Sequence, residues 1–167
     1  IDLQDLNYSF LASSNHDKLE RYNEWLLPIV NKYSGLIDGP GWFKIGNWAR
    51  RDIHRYIYSR SIVGINLHID DSIKWESELN ERTYILAAMG VPQLIDNPLI
   101  LSKRFNSGCM MVSSSPVEYF DNFERLLHDK NLRSSLAKSS LIEVYEKHTI
   151  FHRAQSFSNS LINILRR

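Results

Sequence analysis

The sequence predicts an α/β protein built as an αβα sandwich around a mainly parallel sheet. Short apolar, β-prone segments alternate with amphipathic segments along most of the chain, and such alternation is typical of parallel sheets with helices on both faces. The segment Ser61–His68 is almost continuously apolar, as expected of a central strand buried on both faces. The chain then ends in a long segment with helical spacing, which predicts a helical tail.

The first part of the chain predicts two strands and one helix. Tyr8–Ala12 is a short β-prone segment, and the polar cluster Ser13–Asp17 after it is typical of a helix start. The helix that follows contains Pro28, which should kink or shorten it. Gly35–Asp38 is the second predicted strand, and it stops at Gly39–Gly41.

The middle of the chain predicts a helix on each side of the central strand. Arg50–Tyr58 has helical spacing, and Ile69–Leu79 is a polar connection. Asn80–Met89 is predicted to be helical, with Gly90 as its C-cap. Gln93–Asp96 is the fourth predicted strand.

The last part predicts one more strand and then helices. Cys109–Val112 is the fifth strand, and Pro116–His128 is an amphipathic helix with proline in its first turn. From Leu132 onward the chain is helical, with a break near Lys147–Thr149. Because there is no repeat, linker or charge block, residues 1–167 are predicted to form a single domain.

Composition excludes several classes of protein. The 167 residues are 43% hydrophobic and 23% charged, which is not the composition of a disordered or fibrous chain. The single Cys109 excludes a disulfide framework and a cysteine-based zinc site. No apolar stretch is long enough for a membrane helix, and a net charge of +1 gives no electrostatic reason to expect nucleic acid as a partner. The chain begins at Ile1, so we expect a processed product or a piece of a longer protein.

Ligands of open parallel sheets bind beyond the carboxyl ends of the strands. That rule selects four loops of this chain: Ser13–Lys18, Gly39–Trp48, His68–Arg82 and Asp96–Ser102. The second of them carries Trp42 and Trp48 among glycines, and an indole there could stack on a base or sugar. The alternative, which applies at least equally to Trp42, is that both tryptophans seal the edge of the sheet.

The third loop contains the most informative pattern. Asn80 is a plausible N-cap with Thr83 three residues later, and the first-turn N–H groups plus the Arg82 guanidinium suit a phosphate or diphosphate. The alternative is that Glu81 and Arg82 form a solvated first turn in which Arg82 pairs with an acidic neighbour.

His68 ends the central strand, where either a catalytic histidine or a hydrogen-bonded structural one could lie. Asp70 and Asp71 follow it, but two adjacent carboxylates without further ligands do not predict a metal site. The chain lacks the G-x-G-x-x-G, G-x-x-x-x-G-K-[ST] and G-x-S-x-G motifs, which disfavours a standard dinucleotide dehydrogenase, a P-loop NTPase and an α/β-hydrolase. Cys109 is expected to be an inert core thiol.

Three segments in order, Tyr58–His68, Glu81–Tyr84 and Ala87–Pro92, resemble the C-terminal half of a GT-B glycosyltransferase. More narrowly, they are similar to the CgeB-like spore-maturation glycosyltransferases, in which a strand ends in Leu-Asn-x-His and a helix and an Ala-x-Gly turn follow. Glu146–Thr149 with Arg153 resembles that family's closing His-Thr-x-x-x-Arg element. The resemblance extends from about Tyr8 to the end of the chain.

The resemblance implies a Rossmann-like domain that binds a nucleotide diphosphate sugar, such as a UDP- or GDP-sugar, without a bound metal or other cofactor. The acceptor, a glycan, protein or lipid-linked molecule, would be held mostly by an N-terminal GT-B domain outside these residues. The implied catalytic residues are His68 and Glu81. The implied nucleotide-sugar-binding residues are Ser14, Asn15, Lys18, Gly46, Asn47, Trp48, Asn80, Arg82 and Thr83.

One position departs from the family. The acid that commonly binds the ribose hydroxyls is replaced by Ile85, so that contact is lost or comes from another residue such as Glu81. The departure keeps open an alternative function, a degenerate Rossmann-like module used in protein interaction or scaffolding. In either case a cytoplasmic protein is expected.

Overall fold

The computed structural model describes residues 6–14, 16–42, 51–74, 76 and 79–166, and the side chains of residues 16–18, 51 and 52 are not described. These residues contain a five-stranded sheet in the order β2-β1-β3-β4-β5, and every neighbouring pair of strands is parallel. Helices pack on both faces. The predicted parallel αβα sandwich is therefore confirmed.

The strands are short, as is common where helices connect parallel strands. They are β1 Leu6–Leu11, β2 Leu36–Asp38, β3 Ser61–Asn66, β4 Gln93–Asp96 and β5 Met111–Ser113. The helices are α1 His16–Arg21, α2 Leu27–Lys32, α3 Arg51–Ser59, α4 Asp70–Ile73, α5 Glu81–Ala88, α6 Leu101–Arg104, α7 Pro116–His128, α8 Lys130–Lys147 and α9 Ile150–Leu165. A π-helical segment, Tyr22–Leu26, joins α1 to α2.

The direction of the chain reverses across the sheet between β1 and β3. After β1 the chain moves outward to β2, and it then crosses back to place β3 on the other side of β1. Ser9 lies opposite Gly64 in the register of this central pair. The loops that leave β1 and β3 therefore diverge, which opens a crevice at their carboxyl ends.

Most predicted elements agree with the structure, and the differences have physical reasons. Pro28 lacks an N–H and its ring opposes a regular turn, and the chain accommodates it with the π-helical segment directly before α2 rather than by ending the helix. The polar connection Ile69–Leu79 contains one helical turn, α4. Strand β5 begins at Met111, two residues later than predicted, and Cys109 and Met110 before it are buried in a core cluster with residues of α6 and α8.

The core lies on both faces of the sheet. Phe10, Ile65 and Phe123 belong to one buried cluster, and Ile95, Cys109 and Val144 belong to another on a different side. Burial raises the pKa of the Cys109 thiol, as expected of an inert core cysteine. Strand β4 is buried at every position, and its two polar residues, Gln93 and Asp96, both make hydrogen bonds there.

The helical tail divides into two helices of different character. Helix α8 packs along α5, whereas every residue of α9 is exposed, including Phe151, Phe157 and Leu161. The break between them lies at His148 and Thr149, where it was predicted. Among the residues that the structure describes, no helix is both long and apolar enough to cross a membrane.

The loops after β1 and β2 pack closely together at the carboxyl edge of the sheet. The Ser14 N–H donates to the Pro40 carbonyl over 2.7 Å, and Trp42 is buried against Phe10 and Tyr22. Trp42 therefore seals the core at the edge of the sheet, as one of the two interpretations of its sequence position expects. A side chain at Gly39 would lie 1.9 Å from the Ala12 carbonyl oxygen, at a φ of +139°.

We expect Gly39→Ala to lower the free energy of unfolding by about 2–4 kcal/mol, because it combines backbone strain with a steric clash against backbone. The matched control is Gly108→Ala, which has a φ of +88° but open space around the new methyl group. It should cost about 1 kcal/mol. Chemical denaturation of both variants checks this, and an equal loss in the two would show that contact with Ala12 is unimportant.

Candidate functional site

A cleft of about 920 Å³ begins at the carboxyl end of β1 and runs between α3 and α5. Leu11 lies at its inner end, beside the crevice where β1 and β3 diverge. The wall formed by α5 contributes Asn80, Glu81, Arg82, Ile85 and Met89. This size is within the range of small-molecule sites, and its position is where parallel sheets bind ligands.

The amide of Asn66, at the end of β3, organises the wall that α5 contributes. Its nitrogen donates to the Thr83 hydroxyl over 2.9 Å and to Gln93 Oε1 over 2.6 Å. Its oxygen accepts from Asn80 over 2.7 Å and from Arg82 over 3.0 Å. The side chain is fully buried, so these four bonds satisfy the whole amide in a place where an unpaired polar group would be costly.

Asn80 is the N-cap of α5, as the sequence predicts. Its side-chain oxygen accepts from the Thr83 N–H over 3.1 Å and from the Thr83 hydroxyl over 3.0 Å. Thr83 is fully buried, so its side chain supports the cap rather than facing the cleft. The N–H groups of Glu81 and Arg82 lie in the first turn, at the positive end of the helix dipole.

Arg82 bridges the two strands that border the crevice. Its Nε donates to the Leu11 carbonyl over 2.9 Å, and its Nη1 donates to Asn66 Oδ1. The guanidinium lies 4.9 Å from the centre of the Phe10 ring. Burial lowers the pKa of the Arg82 guanidinium, and the nearby hydroxyl of Tyr58 opposes this shift. For Arg82, the alternative of a solvated turn with an acidic partner is therefore wrong, because neutral oxygens and a ring hold it at the switch point. Glu81 is exposed, as that alternative expects.

Glu81 and Ile85 lie one turn apart on the same wall of the cleft, and both are exposed. Ile85, the position of the resembling family's acid, is 42% exposed and presents only apolar surface. Glu81 is therefore the nearest carboxylate on that wall. It is spaced by one helical turn from the position where the resemblance expects an acid.

A second buried network lies at the ends of β3 and β4. Asp96 Oδ1 is 2.6 Å from His68 Nδ1, and Oδ2 accepts from the His68 N–H over 2.8 Å and from Arg21 over 2.9 Å. Arg21 also pairs with Asp70 over 2.9 Å and stacks 4.5 Å from the Trp25 ring centre. His68 is only 3% exposed and its Nε2 has no protein partner. Its assigned catalytic role stays a prediction.

The structure describes only some of the other predicted site residues. Ser14 is half-buried at the carboxyl edge, where its backbone joins the loop after β2. Asn15, Gly46, Asn47 and Trp48 lie outside the described residues, as does the side chain of Lys18. Asp70 is engaged with Arg21, and in the described part of the chain no three His, Cys, Asp or Glu side chains form a metal-binding group.

Two groups of residues at these sites were not predicted from the sequence. His54, Arg55 and Tyr58 line the cleft from α3, and Tyr145 lines it from α8. The spacing of His54 and Tyr58 places them on one helix face, which was a usable signal. Arg21 and Asp96 gave no such signal, since they are 75 positions apart and meet only in the folded chain.

A parallel αβα sandwich with a cationic, donor-rich cleft at its switch point defines a ligand-binding domain of the Rossmann-like class. The Glycosyl transferase-like family matches residues 20–159, which is most of the chain. The chain therefore belongs to this family. Comparison with curated proteins found no match.

Solved structures of glycosyltransferases share the fold. An α1,3-fucosyltransferase with GDP-fucose matches 80% of this chain and 38% of its own, with a TM-score of 0.62 and 14% identity. The DNA-modifying enzyme β-glucosyltransferase matches 86% of this chain and 47% of its own, with a TM-score of 0.64 and 12% identity. The C-terminal domain of a group 1 family glycosyltransferase, LpcC from Francisella tularensis, matches 81% and 66%, with a TM-score of 0.55 and 15% identity.

These comparisons show that the fold is that of a GT-B C-terminal domain. The chain spans less than half the length of the fucosyltransferase and the β-glucosyltransferase.

We expect Asn66→Ala to lower the free energy of unfolding by about 3–5 kcal/mol, because it removes four hydrogen bonds at once and leaves the buried Gln93 Oε1 without its partner. Asn7→Ala is the control, since the Asn7 amide makes one exposed hydrogen bond to Ser34. It should cost less than about 1 kcal/mol. Urea denaturation measures both, and a loss at Asn66 no larger than the loss at Asn7 would contradict the organising role of Asn66.

Proposed function

We propose that the chain is the donor-binding domain of a glycosyltransferase and binds a nucleotide diphosphate sugar, such as a UDP- or GDP-sugar. The observation that carries the proposal is Arg82, which lines a large cleft at the switch point beside the N-terminus of α5. Two structural neighbours are a fucosyltransferase with GDP-fucose and a β-glucosyltransferase whose substrate is uridine diphosphoglucose, which supports a donor of this class here.

The proposed chemistry is departure of a nucleoside diphosphate from the sugar. Negative charge grows on the leaving phosphate in the transition state, so fixed positive charge and N–H donors aimed at it accelerate the step. Arg82 and the first-turn N–H groups of α5 would supply both, and Ser14, Asn15 and Lys18 would approach from the loop after β1. Arg82 is pre-oriented by Leu11 and Asn66, so little reorganisation is needed when charge develops.

The other proposed contacts concern the base and the ribose. Gly46, Asn47 and Trp48 would contact the base, with the indole of Trp48 stacking on it. Glu81 would accept hydrogen bonds from the ribose hydroxyls in place of the family's acid, because it is exposed on the same cleft wall as Ile85. Asn80 and Thr83 would act through the cap that fixes the start of α5.

Of the two proposed catalytic residues, Glu81 is the one exposed to the cleft. It can accept hydrogen bonds from sugar hydroxyls or accept a proton from an attacking hydroxyl. His68 is buried beside Asp96, so we propose that it acts by positioning: it orients Asp96, which in turn holds Arg21 at the end of the sheet.

We further propose that a GT-B N-terminal domain supplies most of the acceptor site. The exposed apolar side chains of α9, among them Phe151, Phe157 and Leu161, support a contact with another protein surface. A relationship to CgeB-like glycosyltransferases and a cytoplasmic location, which an unpaired Cys109 allows, belong to the same proposal.

A second candidate is a degenerate module that acts in protein interaction without catalysis. Ile85 favours it, because isoleucine cannot bind ribose hydroxyls and is exposed where an acid is expected. This candidate predicts that no nucleotide sugar binds the cleft at millimolar concentration.

Isothermal titration of the 167-residue chain with UDP- and GDP-sugars tests the proposal. We expect Arg82→Ala to weaken binding of the matching nucleotide diphosphate by about 1–3 kcal/mol, the scale of a charge-assisted hydrogen bond. Because Arg82 also holds β1 and β3, circular dichroism should first show that the variant is folded. Unchanged affinity in a folded variant would remove Arg82 from the site.

A gain-of-binding variant avoids the folding problem. Ile85→Glu restores a carboxylate on an exposed surface and should strengthen nucleotide-sugar binding by about 0.5–1.5 kcal/mol. Ile142→Glu is the matched control, because Ile142 is 45% exposed on α8 and Ile85 is 42% exposed on α5. A failure of every nucleotide sugar to bind the wild-type chain and Ile85→Glu would favour the interaction module.

A further inference from the structure

A second cleft, of about 530 Å³, lies on the other side of the start of α5 from the donor cleft. We call it the tail pocket, because the junction of α8 and α9 forms one of its walls. The start of α5 and the end of α6 form the rest. Its charged and polar lining residues are Glu81, Tyr84, Arg104, Lys147, His148, His152, Arg153 and Ser156.

The tail pocket concentrates positive charge in a chain that is almost neutral overall. The net charge is +1 for the whole chain, yet Arg104, Lys147 and Arg153 line this pocket against the single carboxylate of Glu81. Lys147 is partly compensated by Glu143, 2.9 Å away on the same helix. Cations that outnumber the acids around one pocket favour an anionic ligand.

The cations are held on a packed aromatic floor. His148 lies 4.7 Å from the Phe105 ring and 5.4 Å from the Tyr84 ring, between ring centres. The His148 Nε2 donates to the Arg104 carbonyl over 2.7 Å. This bond joins the end of α6 to the junction of α8 and α9, so the walls of the pocket are fixed relative to one another.

Arg153 is the side chain best arranged to bind an anion. Its guanidinium lies 4.9 Å from the centre of the Tyr84 ring, and none of the ion pairs among the described residues includes Arg153. A guanidinium that stacks through its face keeps its N–H edge available for a carboxylate or phosphate. Stacking also restricts the side chain before a ligand arrives, which lowers the entropic cost of binding.

The tail pocket adjoins the donor cleft through Glu81, which lines both. A glycosyl acceptor must approach the donor sugar at such a boundary. We propose that the tail pocket binds the anionic group, carboxylate or phosphate, of an acidic sugar acceptor. The assignment of an acceptor rests on the proposed function, whereas the preference for an anion rests on the residues of the pocket itself.

The test uses glucose 6-phosphate and glucuronic acid as anionic probes, with glucose as the uncharged control, in NMR titrations of the 167-residue chain. We expect both acids, and not glucose, to shift the amide signals of residues around Arg104 and Lys147–Arg153. Arg153→Gln should weaken binding roughly tenfold or more, as expected for loss of a charge-assisted pair. Lys147→Gln should weaken it several-fold.

Lys138→Gln is the matched control, because Lys138 is an exposed cation elsewhere on α8 and its loss should leave the affinity unchanged. Melting curves of the variants show whether each is folded, and Lys147→Gln keeps the test valid if Arg153→Gln unfolds. The proposal would be overturned if neither acid shifts these amide signals at an acid concentration about 10–20 times that of a millimolar protein sample. It would also be overturned if Lys138→Gln weakens binding of the acids as much as Arg153→Gln does.

A competing source of the same chemistry is the diphosphate of the donor itself. If UDP or GDP displaces glucose 6-phosphate, and Arg153→Gln weakens the nucleotide as much as the acid, the pocket belongs to the donor and the acceptor assignment falls. Independent binding of a nucleotide and an acid supports the proposal. Binding of the acids by a chain that binds no nucleotide sugar would reject the proposed function and the acceptor assignment, while the anion site would stand.

Discussion

The candidate site depends on one buried amide. Asn66 is placed at the end of the central strand, where its two donors and its acceptor must all be satisfied away from water. Satisfying them joins β3 to β4 through Gln93 and to the start of α5 through Asn80 and Thr83. An N-cap is normally a local device, but here it is tied to the sheet, so the helix end that faces the cleft cannot move independently of the strands.

Charge is arranged around this amide without any excess in the chain as a whole. Arg82 is oriented by carbonyl and amide oxygens rather than by a carboxylate, so its charge is not cancelled by a direct partner and can act on a ligand. Arg21, by contrast, is neutralised between Asp70 and Asp96. Two guanidiniums near the same sheet edge thus have different roles: Arg21 secures the loops, and Arg82 lines the cleft.

Helix α5 separates two clefts of different chemistry. One side presents Arg82 and the apolar Ile85, and the other faces the cations of the tail pocket, with Glu81 between them. A short helix with both clefts at its first turn can bring two ligands to the same carboxylate. If a donor occupies one cleft and an acidic acceptor the other, Glu81 lies at their boundary, where it can contact the hydroxyl that reacts.

The sequence by itself determined the parallel sandwich, the order of its elements and the cap at Asn80, because hydrophobic periodicity and helix capping are local patterns. It also selected Arg82, from its position in a helix start after a buried strand. Only the tertiary structure decided that Thr83 supports the cap, that His68 is buried with Asp96, and that Arg104 and Arg153 share a pocket. Those outcomes depend on contacts between residues far apart in the chain, and burial and pairing of polar groups are settled only when these residues meet.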